Sequence, residues 1–169
     1  MHIENVGEKL SSNMEDYLEA IALIEKDKGV ARVKDISRLM KVKTPSVTSA
    51  LNVLVDKGLV EHERYGYAEL TKDGKRIAQD VLKRHKMLTK FLSSILKIDP
   101  QVAAGDACKM EHALSPETYK KLSTFVEFVE TGSEVDRPLW LKGFDHYLKT
   151  GKRVQCKNKQ ALKKVKSRK

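Results

Sequence analysis

The 169-residue chain has little cysteine, no long apolar run and no acidic residue in its C-terminal stretch. Its two cysteines, Cys108 and Cys156, are too few for a disulfide framework. No apolar run approaches the roughly 18 residues that span a bilayer, so we expect no membrane partner. The N-terminal stretch MHIENVGEKL lacks the apolar segment of a secretory signal. We therefore expect a cytoplasmic protein, where a free thiol is available to bind a metal.

Positive charge is concentrated at one end of the chain. The formal net charge is +10, but nine basic residues and no acid lie between Lys152 and Lys169. The rest of the chain carries 24 basic and 23 acidic residues and is close to neutral. We predict that residues 151–169 form a basic, disordered tail that attracts phosphate. The alternative is a solvated tail that only aids solubility.

The most informative pattern is a cluster of metal-ligating side chains at helical spacing. In C-K-M-E-H, Cys108, Glu111 and His112 occupy positions i, i+3 and i+4, which share one helix face. A thiolate, a carboxylate and an imidazole on one face can bind one metal ion. The alternative is a helix in which Cys108 is a small buried hydrophobe and the other two side chains face solvent.

An enzymatic use of this cluster is disfavoured. The pattern superficially resembles H-x-x-E-H of inverted zinc peptidases, in which both histidines bind zinc and the glutamate is a general base. Here Cys108 replaces the first histidine, and no large substrate-binding domain is present. We therefore expect a binding protein and not an enzyme.

The N-terminal part of the chain predicts a helix-turn-helix. Residues 12–15 form a capping box in which Ser12 caps a first helix and Glu15 reaches back. A short helix follows over Val33–Met40. After a three-residue turn, Thr44 is predicted to cap another helix with Pro45 at its first position. Two short helices joined by a tight turn are typical of DNA-binding proteins.

The outward face of the second short helix carries small polar groups that can bond to bases or phosphates. They are Ser46, Thr48, Ser49 and Asn52. Residues 59–64 and 67–70 are two strand candidates, and a hairpin at this point makes a winged helix. Arg64 and Tyr65 would lie at the wing tip, close to the DNA backbone or minor groove. The alternative is an ordinary helical hairpin with a solvated polar face.

The remainder of the chain is predicted to be helical. Thr71 caps a long helix that reaches about Leu96, and His85 lies on its apolar stripe, where a histidine is more often a core residue than a ligand. Further helices are predicted to start at Pro100, Pro116 and Pro138. Their apolar faces need a partner surface, which a homodimer would supply. The alternative is packing onto the N-terminal domain.

The order of these parts resembles the diphtheria toxin repressor family of metal-dependent repressors, which includes iron and manganese sensors. The resemblance covers about residues 11–131 and rests on MEDYLEAI, TPSVTSAL, LTKDG, RHKML and DACKMEHALS. It implies a mainly α fold with a small β wing. A winged helix-turn-helix domain over residues 1–72 would precede an all-helical metal-binding and dimerisation domain over residues 73–150. It also implies a homodimer that binds a palindromic double-stranded DNA operator.

The resemblance also assigns residues to sites. By position it implies six metal ligands from three helices: Asp16, Glu19, His85, Cys108, Glu111 and His112. It assigns the second short helix to DNA reading. We expect the surface that faces bases and phosphates to contain Pro45, Ser46, Thr48 and Ser49, with Lys43 on the DNA backbone.

The chain combines features of two branches of this family. Iron-type members have Met where Asp16 stands and Cys where Cys108 stands. Manganese-type members have Asp and Glu at positions 16 and 19, and Glu in place of Cys108. The Glu and His of the iron-type ancillary site are replaced here by Thr89 and Ala104. About 38 residues follow the last shared helix, too few for the C-terminal β-barrel of longer members, so we expect that domain to be absent.

Ligand softness bears on the choice of metal. A thiolate favours Fe(II), Co(II), Ni(II) or Zn(II), whereas hard carboxylates favour Fe(II) or Mn(II). The sequence therefore favours Fe(II), with Mn(II) next, and we expect Zn(II), Co(II) or Ni(II) to bind in vitro. We predict a metal-activated repressor of metal homeostasis genes. A winged-helix regulator that metal does not control is the alternative.

Overall fold

The computed structural model describes residues 10–62, 66–131 and 138–153. Within these ranges the chain is helical except for one small sheet. The elements in chain order are α1 (Ser12–Lys28), β1 (Ala31–Arg32), α2 (Val33–Met40), α3 (Thr44–Asp56), β2 (Val60–His62), β3 (Tyr67–Leu70), α4 (Lys72–Lys90), α5 (Pro100–Glu111), α6 (Pro116–Thr131) and α7 (Leu139–Thr150). None of the described helices is both long and apolar enough to cross a bilayer.

The N-terminal unit is a winged helix, as predicted. Strands β2 and β3 form an antiparallel hairpin, and the two-residue strand β1, which the sequence did not predict, pairs with the other side of β3. Helices α1, α2 and α3 pack over this sheet around one apolar core. Its fully buried members include Leu18, Ile21, Ile36, Leu51 and Leu54. Because α1 contributes two of these residues, it is an integral part of this unit.

Three predicted helix starts are wrong by one residue. One of them is α7, which begins at Leu139, because the ψ angle of 138° at Pro138 is that of a cap and not of a helical residue. Ser11, not Ser12, caps α1, because its extended backbone precedes the first turn and its hydroxyl accepts from the Met14 amide. The α3 helix begins at Thr44, since the amides of Ser46 and Val47 bond to the carbonyl of Lys43. Thr44 is therefore not the cap, and Pro45 is the second helical residue.

Helix α4 is capped by Thr71, as predicted, through a 3.1 Å bond from the Gly74 amide. Gly74 allows a close approach, because a Cβ at this position would lie 2.0 Å from the Leu59 carbonyl oxygen. The α-helix ends at Lys90 and not near Leu96. A π-helical turn over Phe91–Ile95 follows, in which the Leu96 amide bonds to the Phe91 carbonyl.

Helices α5 and α6 pack on α4, and among the described residues an apolar face stays exposed. Two small cores form there; their buried members are Leu88, Leu92, Ala103 and Ala107 in one, and Ile95, Val126, Val129 and Leu141 in the other. Phe128 is 64% exposed and Trp140 is 48% exposed. Phe125 lies between Phe91, which it meets edge to face at a centroid distance of 6.2 Å, and Trp140, whose tilted ring is 6.1 Å away. Part of the aromatic surface of residues 66–131 and 138–153 is therefore exposed.

Candidate metal centre and nucleic-acid interface

Helices α1, α4 and α5 converge where the N-terminal winged helix meets the C-terminal helices, which form the second unit. Helix α4 packs against both α1 and α5. Asp16 and Glu19 are three residues apart on α1 and so project from one face toward α4. His85 lies on α4, and the last turn of α5 carries the C-K-M-E-H cluster. The convergence brings together side chains that are nearly a hundred residues apart in sequence.

Two overlapping groups of metal-ligating atoms result. One group contains Asp16, Cys108 and Glu111, and the other contains Glu19, His85 and Glu111. Within each group the ligating atoms all lie within 4.8 Å of one another. Glu111 belongs to both, and its Oε2 lies 2.9 Å from His85 Nδ1. Its carboxylate thus stands between two potential ion positions.

His112 lies beside the first group, although it belongs to neither set of mutually close ligating atoms. Its Nε2 lies 2.8 Å from Asp16 Oδ1 and 3.4 Å from Glu111 Oε1. Its Nδ1 lies 2.7 Å from the Oε2 of Glu15. The structure therefore brings together all six residues that the sequence predicted for the metal site. Glu15 was assigned only to the capping box, and the structure instead places its carboxylate at this centre.

The centre is short of positive charge. Glu111 is fully buried, and its Oε1 makes no hydrogen bond within the described parts of the chain. Burial, and then the negative charge of Glu19, raise the pKa of Glu111 to about 8. Burial also raises the pKa of the Cys108 thiol and of Glu19. For His112, burial lowers the pKa, but the bonds to Glu15 and Asp16 outweigh it and raise the pKa.

These residues fit a bound metal. Nitrogen, oxygen and sulfur donors are gathered within ligating distance, and a buried carboxylate oxygen lacks a partner that an ion would provide. A cleft lined by Ser11, Asp16, Cys108, Lys109 and His112 connects the first group to solvent. The arrangement therefore offers the donor types and the access path that a metal site requires.

The expected DNA-reading residues lie on one exposed face of α3. Val47, Ala50, Leu51 and Leu54 point into the core, which leaves outside Lys43, Pro45, Ser46, Thr48 and Ser49. The hydroxyls of Thr48 and Ser49 bond to carbonyls of their own helix at 3.2 and 3.0 Å. Their oxygen lone pairs and the Thr48 methyl group remain available to DNA. Arg64 and Tyr65 lie outside the described residues.

The chain combines a winged helix with a helical domain that has an exposed apolar face, and a cluster of metal-ligating side chains lies between the two. This combination defines a class, the metal-dependent transcription regulators. The family model for the iron dependent repressor N-terminal DNA binding domain matches residues 9–68. The model for the iron dependent repressor metal binding and dimerisation domain matches residues 71–137. The chain belongs to the iron-dependent repressor family, whose members are transcriptional regulators and not enzymes.

Individual relatives agree with this assignment. An HTH-type transcriptional regulator of Methanocaldococcus jannaschii is 35% identical over 70% of this chain and 95% of its own length. The HTH-type transcriptional regulator MntR of Bacillus pumilus is 34% identical over 72% of this chain and 84% of its own. The crystal structure of T. acidophilum IdeR superposes with a TM-score of 0.61 and 30% identity over 74% of this chain. The match covers 56% of that structure, about half its length.

Proposed function

We propose that this chain is a metal-activated repressor that responds to Fe(II) first and Mn(II) next. The observation that carries the proposal is that one ligand cluster joins two units. Asp16 and Glu19 belong to the winged helix, whereas His85, Cys108, Glu111 and His112 belong to the helical domain. An ion can be held by ligands from both units only when the units have one particular arrangement. Ion binding therefore favours that arrangement. We propose residues 1–72 and 73–150 as the two domains.

We further propose that the six ligands hold two ions. The shared carboxylate of Glu111 has one oxygen beside His85 and the other nearer His112. With their protons removed, Asp16, Glu19, Cys108 and Glu111 carry four negative charges, which two divalent cations would neutralise. A single ion would leave two of these groups either charged in a partly buried site, which is costly, or protonated and unable to ligate. Two ions therefore suit both the geometry and the charge.

Coupling to DNA follows from the position of α1. Bound ions would supply the positive charge that lets the carboxylates of Asp16 and Glu19 approach the cluster on α4 and α5. Because Leu18 and Ile21 anchor α1 in the winged-helix core, the orientation of α3 follows that of α1. In a homodimer this sets the distance between two reading helices, which a palindromic operator requires to be roughly 34 Å. The expected coupling free energy is on the order of 1–3 kcal/mol.

Metal preference follows from the mixed ligand set. The Cys108 thiolate disfavours Mn(II) relative to Fe(II), whereas Asp16, Glu19 and Glu111 supply the hard oxygens that both ions accept. Zn(II), Co(II) and Ni(II) share an affinity for sulfur and should bind in vitro, whatever ion serves in the cell. We therefore place Fe(II) before Mn(II) as the activating metal.

The test is DNA binding at controlled free-metal concentrations with oxygen excluded. An operator would first be selected from a random duplex pool with Co(II)-loaded protein. Fe(II), Mn(II), Co(II) and Zn(II) would then be compared by fluorescence anisotropy. We expect a chelator to abolish specific binding, and Fe(II) to activate at a lower free concentration than Mn(II). Operator binding that a chelator leaves unchanged would instead support a winged-helix regulator that metal does not control.

A further inference from the structure

We propose that Glu15 and Arg84 form a positioning pair that holds the His112 ring with Nε2 toward the metal centre. This inference rests on the proposed metal-binding function. The Glu15 side chain is 11% exposed, so its carboxylate needs internal partners. Its Oε2 lies 2.7 Å from His112 Nδ1 and 3.8 Å from Arg84 Nη1. Glu15 is thus held by one group from α4 and one from the end of α5.

The contact with Glu15 determines which nitrogen of His112 is free to ligate. A neutral imidazole carries one proton, and the nitrogen without it is the one that binds metal. Without an ion both ring nitrogens face carboxylates, Nδ1 that of Glu15 and Nε2 that of Asp16. When an ion replaces the proton on Nε2, the Glu15 carboxylate, which can only accept, keeps the remaining proton on Nδ1. Nε2 is then the ligating nitrogen, and it faces Asp16 and Glu111. Carboxylates that hold a ligating histidine in this way typically contribute 10- to 100-fold in metal affinity.

Arg84 explains why Glu15 is a positioning residue and not another ligand. Its guanidinium lies beside the Glu15 carboxylate and also donates a 3.3 Å bond to the Glu111 carbonyl oxygen. The positive charge of Arg84 and the negative charge of Glu15 therefore cancel. Glu15 adds no net charge to the site, so two divalent ions still neutralise the four acidic ligands. Neither group of ligating atoms found in the described part of the chain includes Glu15. Arg84 further ties Glu15 to the helix that carries three of the ligands.

The test compares Glu15→Gln and Glu15→Ala with wild type by titration of Co(II) and Zn(II). We expect Glu15→Ala to weaken metal affinity 10- to 100-fold. Glu15→Gln should lose less, because its amide oxygen can still accept from Nδ1. Asp27→Asn and Asp27→Ala are the matched controls, since Asp27 is an exposed acid on the same helix, and both should bind metal like wild type. Melting temperatures of the metal-free proteins would show that all variants are folded.

Two further readouts separate a positioning role from a ligating or merely structural one. The Co(II)–thiolate absorption band and the number of ions bound should be the same in Glu15→Ala and wild type. In the Zn(II)-loaded proteins, ¹⁵N NMR should show the proton of His112 on Nδ1 in wild type and Glu15→Gln. Arg84→Gln should weaken metal binding in the same direction, and less than additively with Glu15→Ala.

The outcomes are distinguishable. Wild-type protein that binds no metal would overturn the proposed function itself. Wild-type binding with an affinity that Glu15→Ala leaves within threefold would overturn the positioning role alone. An altered Co(II) spectrum or the loss of one ion in Glu15→Ala would show that Glu15 is a ligand, which also contradicts the proposal.

Discussion

Metal binding to this centre should release protons, and the structure determines how many. At pH 7, a Glu111 carboxyl group with a pKa of about 8 is about nine-tenths protonated. The Cys108 thiol, whose pKa is raised by burial and by nearby acids, also carries its proton. Both must lose it to ligate. Burial lowers the pKa of His112, but its bonds to Glu15 and Asp16 outweigh this effect and raise the pKa, so a proton on this ring would add to the release. We therefore expect about two to three protons per chain on full loading.

Calorimetric titration with Zn(II) in buffers of different ionisation enthalpy measures this number directly. Apparent affinity should rise with pH between 6 and 8, because deprotonation favours the bound state. Glu111→Gln should release about one proton fewer than wild type. Release of less than one proton by wild-type protein, or an affinity independent of pH, would refute the assignment of Glu111 and Cys108 as ligands.

The same raised pKa predicts how the stability of the metal-free protein varies with pH. Folding raises the pKa of Glu111, so its stabilising contribution is fully present below pH 4.5 and is lost as pH rises to about 8. The ceiling of this loss is about 5 kcal/mol. Denaturant unfolding of metal-free protein should therefore show stability falling from pH 5 to pH 8. In Glu111→Gln the free energy of unfolding should vary less with pH over this range. An equally steep dependence in that variant would show that Glu111 is not its cause.

Three further predictions concern metal choice, DNA reading and the tail. Cys108→Glu creates an all-oxygen and nitrogen site, so the activation series should shift toward Mn(II); an order identical to wild type would show that Cys108 is not a ligand. Thr48→Ala with Ser49→Ala should lower operator affinity by about 1–3 kcal/mol in anisotropy titrations, and unchanged affinity would remove α3 from the DNA interface. Truncation after Gly151 should reduce the salt dependence of DNA binding by roughly 0.9 in log–log slope per lost phosphate contact, with operator preference retained; an unchanged slope would favour the solubility role.

The sequence predicted most of the helices because their signals are local. Thr71, Asp99 and Ser115 all cap the helices that follow them, through bonds of 2.9 to 3.3 Å. The bounds of α2 were predicted correctly as Val33–Met40. Strand β1 was missed because two residues carry no alternating pattern and depend on pairing with β3. The π-helical turn was missed because the apolar stripe continues through it without interruption.

The metal centre was only partly accessible from local pattern. The i, i+3, i+4 spacing indicated Cys108, Glu111 and His112, but no periodicity connects them to Asp16 or His85, which family resemblance supplied. The role of Glu15 could not be predicted, since its partner His112 is 97 residues away. Its position three residues after Ser12 instead suggested a capping box. The capping-box pattern and the distant His112 both offered a partner for the Glu15 carboxylate. In the structure it contacts His112.

The most direct test of the central claim is the metal dependence of operator binding by Asp16→Ala. Asp16 is the proposed ligand on the winged helix that contacts His112, so its loss should uncouple the two proposed domains while the dimer surface stays intact. Free-metal titrations with Fe(II) and Mn(II) would be compared with wild type and the Asp27→Ala control, and the oligomeric state would be checked by light scattering. The account predicts an intact dimer whose metal-dependent gain in DNA affinity is reduced by about 1–3 kcal/mol. An intact dimer with a wild-type metal response would contradict it.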